Sequence, residues 1–163
     1  MNYKVSNTGI FENILQFVSF NIGNEEFAVD ILKVQEIIKL TELTKIPNAP
    51  NFIEGIVNLR ENVVPAIDLR TKLNFPKKMY DSKTRIIVIT KENRTLGLIV
   101  DEVHEVLRIS KRVIEPPPKI ISKINLDIIS GLAKLEGRLI IILNIEKIFN
   151  EEEINKLKTV KFS

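Results

Sequence analysis

The stretch "FIEGIVNLRENVVPAIDL", Phe52–Leu69, has a counterpart in "IISGLAKLEGRLIIILNI", Ile128–Ile145. The two align over 18 positions without a gap. Ile53, Gly55 and Leu59 meet Ile129, Gly131 and Leu135, and Asp68 meets Asn144. Nearly every other apolar position meets an apolar one. Each copy reads as a strand, a two-residue turn, a second strand and a short helix. Asp68 and Asn144 each stand where a side-chain oxygen caps a helix by accepting its first free amide protons.

Working outward, the duplication covers most of the chain. Val18, Phe20 and Ile22 alternate with Ser19 and Asn21, the pattern of a half-buried strand. A turn at Gly23-Asn24 leads to Phe27–Asp30. The second half repeats this hairpin with Arg85–Thr90, a polar turn at Glu92-Asn93-Arg94, and Leu96–Asp101. "VQEII" (Val34–Ile38) then matches "VHEVL" (Val103–Leu107), and each runs into a connector marked by proline: Pro47 and Pro50, then Pro116–Pro118.

Each half therefore offers about five short strands, the content of a small barrel. One barrel of that size has too little interior to stand alone. Ile86–Ile89 and Leu139–Leu143 are uninterrupted apolar runs, as strands buried on both faces are. The expected architecture is all-β: one unit over 14–162, with subdomains mainly at 14–83 and 84–150 around a shared core. Asn150 with Glu153 forms a capping box that starts a C-terminal helix at about 151–160, Ile154 and Leu157 facing inward. Residues 1–13 carry little pattern and read as a flexible tail.

The repeat draws attention to its own hairpin turn. In the second half it reads as Gly137-Arg138, with Gly137 supplying the positive φ of a type II′ turn. The first half has Glu61-Asn62 at those positions. Either Asn62 takes the left-handed conformation or Glu61 is strained.

The 163 residues contain no cysteine and one histidine, His104, so neither a thiolate nor a multi-histidine metal site can be built. No glycine-rich phosphate loop and no Gly-x-Ser-x-Gly elbow occur. Carboxylate pairs such as Asp101-Glu102 lie beside turns and read as solvated charge. No cofactor is implied. The net charge of +3 comes from dispersed lysines. Aromatic content is 6% with no tryptophan, which argues against the stacking face of a single-strand nucleic-acid barrel. A regulatory domain cut from a larger kinase is a further alternative. No apolar run reaches the ~18 residues of a membrane span.

Two charges stand among apolar neighbours: Glu36 within "VQEIIKL" and Arg60 at the end of "EGIVNLR". If their strands are neighbours the two can pair, and the pair then holds Arg60 in one rotamer beside a groove. Leu43 and Ile120-Ile121 are apolar residues in loop-like sequence, either contact surface or satellite core.

"FAVDILKVQEI", "FIEGIVNLRENVVPAIDLR", "LGLIVDEVHEVL" and "IISGLAKLEGRLIIILNIEKI" together resemble the CheW-type chemotaxis coupling family, from about Leu15 to Leu157. The resemblance implies two intertwined five-stranded SH3-like β-barrels sharing a core. It implies a non-catalytic adaptor that couples methyl-accepting chemoreceptors to the regulatory domain of the histidine kinase CheA. Such an adaptor is cytoplasmic, recruited to membrane-associated receptor clusters, and monomeric when free. Carried to matching positions, receptor binding falls to Val34, Glu36, Arg60 and Val106, and kinase binding to Leu43 and Ile120. Gly55 matches a motif glycine of the hairpin. The family usually reads "NLRG"; here Glu61 replaces that glycine and places an acid next to Arg60.

Overall fold

The computed structural model describes residues 13–91, 93–118 and 126–159, without the side chains of Leu126 and of 157–159. The strands are β1 (Ile14–Ile22), β2 (Glu25–Asp30), β3 (Val34–Lys39), β4 (Ile53–Leu59), β5 (Asn62–Asp68), β6 (Arg85–Lys91), β7 (Arg94–Val100), β8 (Glu102–Ser110), β9 (Ile114–Glu115), β10 (Ile129–Leu135) and β11 (Arg138–Leu143). Two helices join them, α1 (Leu69–Lys72) and α2 (Glu151–Thr159), along with short 3-10 turns.

The strands form two mixed sheets. The first has the order β8-β1-β2-β11-β10-β9, the second β3-β6-β7-β5-β4. The repeat makes β1 to β5 equivalent to β6, β7, β8, β10 and β11. Each sheet therefore takes its opening hairpin from one half of the chain and its other strands from the other half. The sequence division at 83/84 cuts across both sheets. The exchanged hairpins join by parallel ladders, Ile142 opposite Ala28 in one and Ala66 opposite Gly97 in the other. The first sheet has six strands rather than five, because the connector after β8 adds β9 against β10.

Equivalent connectors follow β3 and β8 and pair with the strands beyond them. After β3, Thr44 makes a two-hydrogen-bond bridge to Ile56 of β4 (2.9 and 2.8 Å). After β8, the 3-10 turn Lys111–Val113 leads into β9, which pairs with β10. Gly55 and Gly131 lie where these connectors pass. A Cβ on Gly55 would stand 2.9 Å from the Thr44 carbonyl oxygen. On Gly131 it would stand 2.5 Å from Ile114 Cγ2 and 3.0 Å from the Glu115 carbonyl oxygen. The repeat keeps glycine at both positions because only glycine lets backbone come that close.

Three apolar clusters result. The central one, between the sheets, holds Phe20, Phe27, Ile67, Leu69, Ile87, Leu98 and Ile141. Ala28, Ile140 and Ile142 face a second cluster, and Val64, Ile86 and Val88 a third. Even and odd residues of β6 and β11 thus point into different cores, the physical basis of their uninterrupted apolar runs. Only Leu139 departs from that reading; it is largely exposed. Each fully buried large apolar side chain contributes about 1.5–3 kcal/mol.

The helix caps form as the sequence suggests. Asp68 Oδ1 accepts from Arg70 N at 2.9 Å, and Asn144 Oδ1 from Glu146 N at 3.0 Å, the latter starting a 3-10 turn (Ile145–Lys147). Asn150 and Glu153 make the reciprocal capping box at α2 (2.8 and 3.0 Å), and Ile154 packs on the central core. The Leu157 side chain lies outside the described residues. So do the tail residues 1–12, but Asn13 is anchored, its carbonyl accepting from Lys111 N at 2.9 Å.

Candidate functional site

β3 is an edge strand whose alternation sets the site. Val34, Glu36 and Ile38 are half-buried on one face, while Gln35, Ile37 and Lys39 are exposed on the other. A register shift between Val34 and Glu36 adds a local bulge. Bulges increase twist and re-aim side chains. Arg60 belongs to the hairpin between β4 and β5, at the opposite edge of the same sheet.

That hairpin corrects the sequence reading by one position. Leu59 pairs with Asn62, so the loop is Arg60-Glu61 and Asn62 already belongs to β5. In the second half Leu135 pairs with Arg138, and the loop is Glu136-Gly137. Arg60 has φ 57°, Glu136 φ 47° and Gly137 φ 80°. Neither Glu61 nor Asn62 is left-handed. The strained residue is Arg60 itself, at a cost of about 1–2 kcal/mol. The strain comes with the two-residue hairpin, since the repeat also carries a non-glycine at this position.

Arg60 reaches across to Glu36. Its Nη1 donates to Glu36 Oε2 at 2.7 Å and its Nη2 to Oε1 at 3.4 Å. The expectation that these charges pair holds, but not because their strands are neighbours. β3 and β4 are the two edges of one sheet, and the Thr44–Ile56 bridge also links the segment after β3 to β4. The Arg60 side chain is 72% exposed and Glu36 23%. An ion pair this open is worth no more than about 0.5 kcal/mol and does not offset the turn strain. Its effect is orientation: a guanidinium pinned at one edge, with unused N–H donors turned to solvent, beside the half-buried Val34.

The other nominated residues fall as follows. Val106 is 49% exposed on the outer face of β8, in the other sheet. Among the described residues no hydrogen bond or ion pair joins it to Glu36 or Arg60. The two strands are related through Val34 and Val103, which both pack against the central core. Leu43 is half-buried against the third cluster and touches the space above Gly55, so the satellite-core reading applies to it. Ile120 and Ile121 lie outside the described residues. His104 is exposed, as its alternation suggests. Glu105, equivalent to Glu36, also pairs with a hairpin arginine, Arg138, at 3.3 Å. Arg138 Nε donates in addition to Glu26 at 3.1 Å. An acid on the third strand held by an arginine of the last hairpin is thus a feature of both copies.

Two polar clusters escape a sequence reading. Asp101 is not solvated charge. Its oxygens accept from Arg70 Nε (2.8 Å), Arg70 Nη2 (2.6 Å) and Gly23 N (2.8 Å). Burial pushes its pKa up, but Arg70 and the Gly23 amide outweigh this and hold it below the ordinary carboxylate value. Asp68 accepts from Tyr80 Oη at 2.9 Å, and burial raises its pKa. Arg70 and Asp101 are 31 residues apart, and no local spacing joins them. Among the described residues no group of three or more His, Cys, Asp or Glu side chains is placed to hold a metal ion. No helix among them is long and apolar enough to cross a membrane.

Two mixed sheets carry a charge pair, Arg60–Glu36, at their exposed edge. The CheW-like domain profile matches residues 16–153. The chain belongs to the CheW family. The chemotaxis protein CheW of Klebsiella aerogenes is 40% identical over 139 residues, covering 85% of this chain and 84% of that protein. The CheW of Helicobacter pylori is 36% identical over 141 residues, covering 86% and 85%. The crystal structure of the scaffolding protein TtCheW from Thermoanaerobacter tengcongensis superposes with a TM-score of 0.77 at 38% identity. It covers 83% of this chain and 92% of that one. The family is one of non-catalytic scaffolds, and the chain is a chemotaxis adaptor of that kind.

Proposed function

We propose that this protein couples the cytoplasmic tips of methyl-accepting chemoreceptors to the regulatory domain of the histidine kinase CheA. In this reading each curled sheet is an SH3-like barrel and the seam between them takes one receptor helix. The helix lays its apolar face on Val34 and Val106, as amphipathic helices do in preformed grooves. Arg60, held by Glu36, sets its register by charge. The observation that carries the reading is the exposed Arg60 clamped by Glu36 at the sheet edge, since the clamp adds too little stability to exist for the fold alone. The kinase docks elsewhere, through Leu43 and Ile120. Engaging both partners at once raises their effective concentration and lets receptor state bias kinase state. The protein acts in the cytoplasm, is monomeric when free and joins receptor clusters through these contacts.

Arg60→Gly tests the division of labour cleanly, because glycine takes the φ 57° turn without strain. The variant is expected to be about 1 kcal/mol more stable. It is also expected to bind a receptor-tip fragment about tenfold more weakly, with kinase affinity unchanged. Equal losses toward both partners in pull-down or calorimetry, or no loss toward the receptor, contradict the proposal.

A further inference from the structure

In both copies two acids and one arginine gather near the last hairpin, but the copies use them differently. In the second copy Arg138 lies between Glu26 and Glu105, and both acids are bonded to it. In the first copy Glu36 alone holds Arg60. Among the described residues no hydrogen bond or ion pair holds the Glu61 carboxylate, and Glu61 is exposed in the loop next to Arg60.

The turn itself does not call for that acid. Glu61 aligns with Gly137, which has φ 80°. Glu136 and Gly137 both have positive φ, the pattern of a type I′ hairpin. In the first copy only Arg60 does, the pattern of type II′. Type II′ favours glycine at its first central position, where Arg60 stands, and asks for no left-handed residue at its second, where Glu61 stands. Neither charged side chain is therefore placed by the needs of the backbone. Glu36 and Arg60 cancel, so the net charge of the tip is the one on Glu61.

The geometry points to Glu61 as a specificity-determining residue of the seam, resting on the receptor reading above. It selects a partner helix that carries a lysine or arginine one turn from the residue meeting Arg60. Residues 60 and 61 are neighbours, with Cα atoms about 3.8 Å apart. Side chains one helical turn apart stand about 5–6 Å from each other. A single turn of helix can thus offer an acid to the unused N–H groups of Arg60 and a base to Glu61. A helix with acids at both places meets Glu61 as a like charge and is rejected.

Calorimetric titration of the full chain with a receptor-tip fragment, at low and at high salt, tests this. Glu61→Gln keeps the shape and removes the charge. It is expected to weaken binding about threefold at low salt, the size of an exposed ion pair. Glu61→Lys adds repulsion and is expected to weaken it about tenfold. Both losses should fade at high salt, because the contact is exposed. Affinity for the CheA regulatory domain should not change in either variant. Unchanged or tighter receptor binding by Glu61→Lys overturns the proposal. If Arg60→Gly still weakens binding in that case, the receptor reading stands without it; if Arg60→Gly binds normally, both fall. Equal losses toward receptor and kinase also overturn it, because they would come from overall charge and not from the tip.

Discussion

Arg70→Ala is expected to lower the stability of this protein by about 3 kcal/mol, the range for removing one partner of a buried ion pair. For a chain this long that is a fall in Tm of about 6–12 °C. Both side chains are nearly enclosed, Arg70 11% and Asp101 13% exposed. The guanidinium ties α1 to the end of β7 and also donates to the Pro76 carbonyl at 2.8 Å. Without it the Asp101 carboxylate keeps only the Gly23 amide in a poorly hydrated place. The pH dependence follows from the folded pKa of Asp101 lying below its unfolded value. The contribution of the pair is complete above the unfolded value of about 4 and disappears as pH falls through the folded one. Asp68 works the other way. Its folded pKa is raised, so it costs stability once pH exceeds the unfolded value and returns that stability in acid. Tyr80 is pushed up by burial and by Asp68, so the fold also loses stability above about pH 10, where the unfolded tyrosine ionises. Denaturant titrations at pH 7 and pH 3 check this: the gap between wild type and Arg70→Ala should shrink in acid. A gap that stays constant would remove the ion pair from the account.

Gly55→Ala is expected to cost about 2–3 kcal/mol, the upper part of the range for overpacking. The added methyl would meet the Thr44 carbonyl oxygen at 2.9 Å and the Leu43 side chain at 3.3 Å. Thr44 cannot retreat without breaking both hydrogen bonds to Ile56, the bridge between the segment after β3 and β4. Gly131→Ala would meet Ile114 Cγ2 at 2.5 Å, held by the stiff χ1 of a β-branched side chain, and the Glu115 carbonyl oxygen at 3.0 Å, so its cost should be comparable. Gly137→Ala is the control. No atom lies within 4 Å of its Cβ position, so only the φ of 80° acts against it, worth about 1 kcal/mol. Hydrogen exchange at Thr44 and Ile56 should quicken in Gly55→Ala alone.

Much of the fold is legible from local pattern because the chain states it twice. The hairpins, the caps at Asp68, Asn144 and Asn150, and the double-faced burial of β6 and β11 all rest on short-range spacing. The exchange of hairpins between sheets does not, because nothing in β1 or β2 records which half they will join. Only family resemblance supplied it. The turn phase was misread because apolar alternation cannot see the register shifts at Glu54 and Ser130, which move the loop to Arg60-Glu61. The sequence also paired Glu36 with Arg60 by assuming adjacent strands, when curvature of the sheet brings them together. Asp101 reads as solvated from sequence because its partner is 31 residues away.

The central claim is that the seam holding Val34, Glu36, Arg60 and Val106 takes a receptor helix, while the kinase is met elsewhere. Titrating isotope-labelled protein with a receptor-tip fragment and following every backbone amide tests it most directly. The account predicts shifts along β3 from Val34 to Ile38, at Arg60 and around Val106, with Thr44 and β9 unmoved. Shifts confined to the connector ends, or spread evenly over both sheets with Arg60 silent, would contradict it.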